Sequence, residues 1–251
     1  MNPFLVSFLV FAALFGSAML GFKLRRRLPD EHLCDKTKDA VRIGMGSVGT
    51  MAALVLGLLV ASTKGTYDTE KSEIIQLAAK LMALDQALIN YGPDSAECRN
   101  VLRVAALAAL VRIWPDAKVD QSALAPTRVW NSDLPLAIQR LDPKTDAQRT
   151  FKSQAAQIAA DLGQMRWLLF EQAQSSISTP LLVIMVFWMA MTYVSVGLFA
   201  PANTTVVTAQ LLAALAVAGA LFLILELDAP FSGLIRISDE PMRNALQLLE
   251  K

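Results

Sequence analysis

Few residues in this 251-residue chain could do chemistry, and they are scattered. His32 is the only histidine and stands in a loop crowded with Lys and Arg, so a serine or cysteine nucleophile has no buried base to activate it. Cys34 and Cys98 fall in different polar segments, outside C-x-x-C or metal-ligand spacing, and read as ordinary thiols. No glycine loop cradles a phosphate, and no acids sit within the apolar stretches where an intramembrane aspartyl site would need them. The expectation is a protein that is not an enzyme and uses no cofactor or metal.

Two constellations remain. Gly49, Ala53, Gly57 and Ala61 recur at four-residue steps in one apolar stretch, with Ser47 and Thr50 on a neighbouring face. Small residues at that period let two helices approach closely; the same row with hydroxyls beside it could instead line a narrow, weakly polar pore. The second constellation is Glu226, Asp228 and Arg236, in a string that also holds Pro230 and Gly233. Acids at a bilayer boundary can hold a cation or pair with a base, or can mark the water interface. Pro230 cannot continue a helix and Gly233 permits a sharp turn, so a shaped corner is expected here.

The elements that position these residues follow from composition. At 54% hydrophobic and 18% charged residues, with a mean hydropathy of +0.43, the chain is too apolar for a soluble domain of its size. A net charge of +1 and the lack of a basic stripe with aromatics exclude a nucleic-acid role. Four uncharged windows, Pro3 to Phe22, Ile43 to Ser62, Pro180 to Ala200 and Val206 to Leu225, each reach the ~20 residues needed to cross a bilayer. The first ends in Arg25-Arg26-Arg27 rather than a cleavage site, so it is read as a membrane helix and not as a signal peptide. The fold class is therefore all-α, an integral membrane protein with four transmembrane helices in two hairpins. Residues 1–62 form the first hairpin, 63–179 a helical extramembrane region, 180–227 the second hairpin and 228–251 a C-terminal turn and amphipathic helix.

Lys23, Arg25, Arg26, Arg27, Lys36, Lys38 and Arg42 crowd the loop between the first two spans, while the loop from Pro201 to Thr205 has no base. Positive-inside bias places residues 23–42 in the cytoplasm, and 63–179 and the C-terminus outside, where Cys98 would meet an impermeant thiol reagent.

In the middle region thirteen Lys/Arg balance thirteen Asp/Glu between Lys64 and Glu171, which makes a solvated surface. Ile74, Leu77, Leu81, Leu84 and Leu88 alternate steps of three and four, so the second membrane helix is predicted to continue outward until Tyr91-Gly92-Pro93 stops it. Asp94 with Glu97 suggests a capping box for a helix running to Trp114. Residues 116–143 read as loop with a short helix around Leu136, and Phe151, Ala155, Ile158, Leu162, Met165 and Leu169 mark a long helix from near Lys144. The two long helices are expected to pack as a stalk. Ser238 should cap a last helix whose Met242, Ala245, Leu246 and Leu249 share a face, docked on the stalk or lying at the lipid surface.

Several stretches together resemble one bacterial membrane family, the bestrophin-like proteins of unknown function. They are Leu56 to Ser62, Leu84 to Leu88 with Tyr91-Gly92-Pro93, Arg166 to Phe170, Gly197 to Asn203, and Leu225 to Gly233 continuing to Ser238. True bestrophins are pentameric anion channels with a hydrophobic neck on the second membrane helix and an acidic calcium clasp after the fourth. The resemblance implies a homo-oligomeric small-anion channel in the bacterial inner membrane, lined by Ile43 to Ser62 and constricted at Leu54 or Leu58. This chain departs from that pattern in three ways. It has no aromatic neck, Glu226 and Asp228 are a thin counterpart of the clasp, and bestrophins keep the middle region inside the cell, opposite to the basic-loop reading. The alternative reading is a non-conducting scaffold or sensor, its stalk bound to another envelope protein and its membrane helices serving as anchor.

Overall fold

A computed structural model describes residues 2–29, 34–114, 129–172 and 179–249; His32 lies outside the described residues. All regular elements among them are helical. The helices are α1 (Pro3–Arg25), α2 (Asp35–Tyr91), α3 (Ala96–Ile113), α4 (Val129–Arg140), α5 (Asp146–Gln172), α6 (Thr179–Phe199), α7 (Thr204–Leu227) and α8 (Glu240–Leu249). Four of them, α1, α2, α6 and α7, are long and apolar enough to cross a membrane, and the chain is an all-α integral membrane protein. It divides into two compact units, residues 1–67 with 176–229 and residues 68–175 with 230–251.

The first unit is built on local signals that the sequence carries plainly. The Asn2 side chain accepts from the Phe4 N–H at 3.1 Å with Pro3 at the first helical position, which starts α1; Asn203 starts α7 by accepting from Val206 N–H at 2.9 Å. At the other end of α1, Arg25 donates from Nη1 to the Ala200 carbonyl just past α6, placing a cation at that helix's negative end. Helix α1 packs most extensively against α6 and α7. It runs parallel to α6, with Gly21 against Gly197, and antiparallel to α7, with Phe4 and Phe222 rings 4.7 Å apart. Leu14, Ala18, Tyr193 and Ala214 form one core cluster. Leu59 of α2 joins Met185, Leu221 and Ile224 in a second, so one face of α2 is held by α6 and α7.

In the second unit the extension of α2 buries Ile74, Leu77, Leu81, Leu84 and Leu88, the predicted seam. It lies antiparallel to α5, since Lys80 meets Asp161 at 2.5 Å and the Gln148 side-chain amide donates to the Tyr91 carbonyl at 3.2 Å. On α5, Ala155 and Leu162 of the expected stripe are buried, and Phe151, Ile158, Met165 and Leu169 are half-buried. The Thr145 hydroxyl starts that helix by accepting from Gln148 N–H, while the Gln148 side-chain Oε1 accepts from Lys144 N–H.

Two expectations need correcting. Asp94 does not cap α3: Pro93–Ser95 form a 3₁₀ turn after Gly92, whose φ is +113°, and Ser95 takes the N-cap position with its hydroxyl turned back to the Leu88 and Gly92 carbonyls. Proline fixes the backbone where an N-cap would need freedom, and the turn consumes Asp94. Cys98 is not on the water-exposed surface but 2% exposed inside this unit, where burial pushes its thiol pKa up.

The helix expected around Leu136 is α4, longer than predicted and carrying Pro135 within it; Leu134, Ala137, Ile138 and Leu141 are buried as it packs on α3 and α5. Helix α8 rests on α3 through Met242, Ala245 and Leu249, with Leu246 half-buried. Of the two placements expected for that helix, it takes the one on the extramembrane region. Ser238 Oγ accepts from Glu240 N–H at 3.2 Å at its start.

Candidate functional site

The candidate residues of α2 separate by face. Val55, Leu56 and Leu59 turn into the first unit's core, and Gly49 comes within van der Waals reach of it, a Cβ there standing 3.9 Å from Thr192 Cγ2. Ser47, Thr50, Ala53, Leu54, Gly57, Leu58 and Ala61 are exposed on the single chain, Leu54 at 69% and Leu58 at 71%. Nothing lies within 4 Å of a Cβ built on Gly57, Gly44 or Gly46. Among the described residues, nothing packs on the small side chains of this face. The hydroxyls are held by their own helix, Ser47 donating to the Ile43 carbonyl at 3.3 Å and Thr50 to Gly46 at 3.0 Å, which leaves their lone pairs turned outward.

The other membrane helices expose large apolar side chains, Phe4, Leu5, Phe8 and Leu9 on α1, Val183, Ile184 and Phe187 on α6, and Leu212, Leu215 and Leu223 on α7, with small residues such as Gly16 and Gly219 among them. The exposed face of α2 mixes Gly, Ala, Ser and Thr with Met51, Leu54 and Leu58, and small residues of this kind let helices approach closely.

The exposed row also has an order that periodicity of apolar residues alone does not reveal. Ser47, Met51, Leu54, Leu58, Ala61 and Gly65 alternate steps of four and three in the first unit, and every one is exposed. The same count continues through Asp68, Ser72, Ile75, Ala79, Met82, Gln86 and Ile89 in the second unit, again all exposed. A 3.5-residue repeat is the register in which helices pack around a common axis. Only Ile75, Met82 and Ile89, seven residues apart, signal it among the small and polar positions between them.

The second constellation is divided between the units. Glu226, 1% exposed, and Asp228, the C-cap of α7, belong to the first, and Arg236, exposed, to the second. Among the described residues no group of three His, Cys, Asp or Glu could hold a metal ion. The corner itself is well made: Gly233 adopts a φ of +86°, and Ile237 N–H donates to the Pro230 carbonyl at 2.7 Å. The Trp114 indole N–H donates to Ile237 O at 2.9 Å while its ring meets Phe231 edge-on, 5.7 Å between centroids. Trp114 is the positioning residue that sequence reasoning missed, since it is 123 residues away from the carbonyl it holds.

Asp85 and Arg99 are a further pair, joined by two hydrogen bonds at 2.6 and 3.2 Å. That carboxylate pushes the Arg99 pKa up and ties α3 to the α2 extension.

This arrangement matches known folds. Two substituted forms of a bacterial bestrophin homologue from Klebsiella pneumoniae superpose on the chain. One has a TM-score of 0.71 at 12% identity over 99% of this chain and 98% of that one. The other has a TM-score of 0.65 at 12% identity over 95% and 99%. The crystal structure of a further membrane protein gives a TM-score of 0.64 at 12% identity over 96% and 99%. No curated protein sequence matches the chain. The model of the bestrophin-like domain matches residues 11–242, nearly the whole sequence, and the chain belongs to the bestrophin-like family.

Proposed function

We propose that copies of this chain assemble around α2 to form an ion-conducting pore through the bacterial inner membrane, small anions being the class conducted. The observation that carries this reading is the Gly, Ala, Ser and Thr face of α2, which is left exposed among the described residues. Turned to a shared axis, small side chains leave a lumen, and rings of Leu54 and Leu58 constrict it with a hydrophobic gate that opens on wetting. A closed cyclic assembly would turn the exposed row of every copy to the shared axis alike. The ion class rests on the likeness to bestrophin homologues; the back-bonded Ser47 and Thr50 must swing their O–H groups outward to meet an anion. Glu226, Asp228 and Arg236 stand at the corner after α7, away from this lining in sequence, and serve here as structure. In this reading residues 23–42 face the cytoplasm. Purified protein in chloride-loaded liposomes tests it: flux that rises with protein content supports the reading, and a monomer without flux removes it.

A further inference from the structure

The end of α1, within the first unit, carries bases that the pore does not use. Lys23, Arg25, Arg26 and Arg27 follow directly on Phe22, the last residue of the uncharged window. At ~3.6 residues per turn the helix sorts them by face. Arg25 turns inward and donates to the Ala200 carbonyl, whereas Lys23, Arg26 and Arg27, three and four residues apart, share the outer face and are exposed. The end of the helix keeps this order: Arg26 has αR geometry, and Arg27 N–H donates to the Leu24 carbonyl at 2.9 Å.

The acids of this unit do not cancel that face. Among the described residues no carboxylate pairs with Lys23, Arg26 or Arg27. The chain has no charged residue between Glu171 and Glu226, so α6, α7 and the loop that Arg25 grips bring no acid to it. Glu226 and Asp228 stand at the far end of α7 from that loop. Across residues 23–42 seven bases meet four acids, Asp30, Glu31, Asp35 and Asp39, a net charge of +3.

Depth and shape indicate what this surface meets. Lys23 lies one residue past the membrane-spanning window and Arg27 five, ~2–8 Å along the axis, and the headgroup layer is ~5–8 Å thick on each side of the hydrocarbon. Below the bases, Leu9, Ala13, Gly16 and Leu20 are exposed at alternating steps of four and three, and the same row runs on into Lys23 and Arg27. No atom lies within 4 Å of a Cβ built on Gly16, so Ala13 and Gly16 leave a shallow trough between Leu9 and Leu20. An acyl chain lying in that trough brings its phosphate to the guanidinium groups, the strongest partners a phosphate has among side chains.

We infer that Lys23, Arg26 and Arg27, with the row from Leu9 to Leu20, bind an anionic phospholipid of the leaflet at that end of α1. Phosphatidylcholine carries its own cation beside the phosphate and competes poorly for the three bases.

The full chain carrying Cys34→Ser and Leu20→Cys, labelled at position 20 with a fluorophore and reconstituted in phosphatidylcholine vesicles, tests this; buried Cys98 stays unlabelled. Trace phosphatidylglycerol with brominated acyl chains is expected to quench the probe about fivefold more effectively than brominated phosphatidylcholine. Arg26→Gln combined with Arg27→Gln should bring the two lipids to parity. Lys36→Gln combined with Lys38→Gln, the same change of charge at the start of α2, should leave the preference in place, and added salt should weaken it in the parent chain. Equal quenching by both lipids in the parent chain overturns the recognition of anionic lipid. A preference that survives Arg26→Gln with Arg27→Gln, or falls equally in both double variants, overturns its assignment to these bases. Quenching by neither lipid overturns the docking altogether and leaves a protein contact as what covers the row.

Discussion

Gly21 of α1 and Gly197 of α6 meet backbone to backbone: a Cβ built on Gly21 would collide with the Val194 carbonyl, and one on Gly197 with that of Ala18. Glycine is required here by proximity, and the contact brings the ends of α1 and α6 together where Arg25 reaches Ala200. Gly21→Ala or Gly197→Ala should each destabilise the protein by about 1–3 kcal/mol as the helices are forced apart. Gly219→Ala, with nothing within 4 Å, is the matched control and should be neutral or slightly stabilising. Thermal unfolding in detergent, followed by thiol exposure at Cys98, reads the difference. Equal melting of all three variants would mean that α1 and α6 do not touch there.

The Asp85–Arg99 pair should behave as a partly buried ion pair, with side-chain exposures of 9% and 30%. Arg99→Ala strands the Asp85 carboxylate and should cost about 2 kcal/mol, whereas Asp85→Leu combined with Arg99→Leu should recover much of that loss. A double-mutant cycle on unfolding midpoints measures it. Additive effects would show that the two side chains do not interact.

Cys34 offers an orientation test that buried Cys98 cannot. It is exposed, and the Thr37 hydroxyl holds its pKa below the usual cysteine value. More thiolate is then present at any pH below that value, so maleimide labelling should be faster than for an ordinary thiol and should slow in Thr37→Val. With residues 23–42 in the cytoplasm, an impermeant maleimide should label Cys34 only after the cells are opened. Labelling in intact cells would reverse the topology.

How much of this was legible in sequence depends on the range of the interaction. Windows such as Pro180 to Ala200 speak for themselves, because ~20 uncharged apolar residues have one destination. The inner seam of α2 was also legible, since Ile74, Leu77, Leu81, Leu84 and Leu88 are all large and apolar. Its outer row was not, because Gly65, Asp68, Ser72 and Gln86 interrupt the pattern that periodicity detects. Contacts such as Gly21 with Gly197, and Trp114 with Ile237, join residues far apart in the chain, and no local spacing announces them. Asp94 misled because a good capping residue after Pro93 can equally be used up by a 3₁₀ turn.

Leu58 and Leu59 are neighbours with opposite surroundings, 71% and 8% exposed, and separate lining from core. Leu59→Ala should leave a cavity between α2, α6 and α7 and cost about 2–4 kcal/mol, while Leu58→Ala should leave the melting temperature of the single chain unchanged and alter flux. Melting curves beside liposome flux for the two variants check this, and a shared loss of stability would place both in the core.

The pore itself is tested most directly by chloride flux through liposomes holding the chain with Cys34→Ser and Leu58→Cys. If copies surround an axis lined by α2, a water-soluble cationic thiol reagent added during flux should block it, and Leu59→Cys in the same background should be unaffected. Flux that persists with Leu58→Cys fully modified, or a protein that remains monomeric and passes no chloride, would contradict the account.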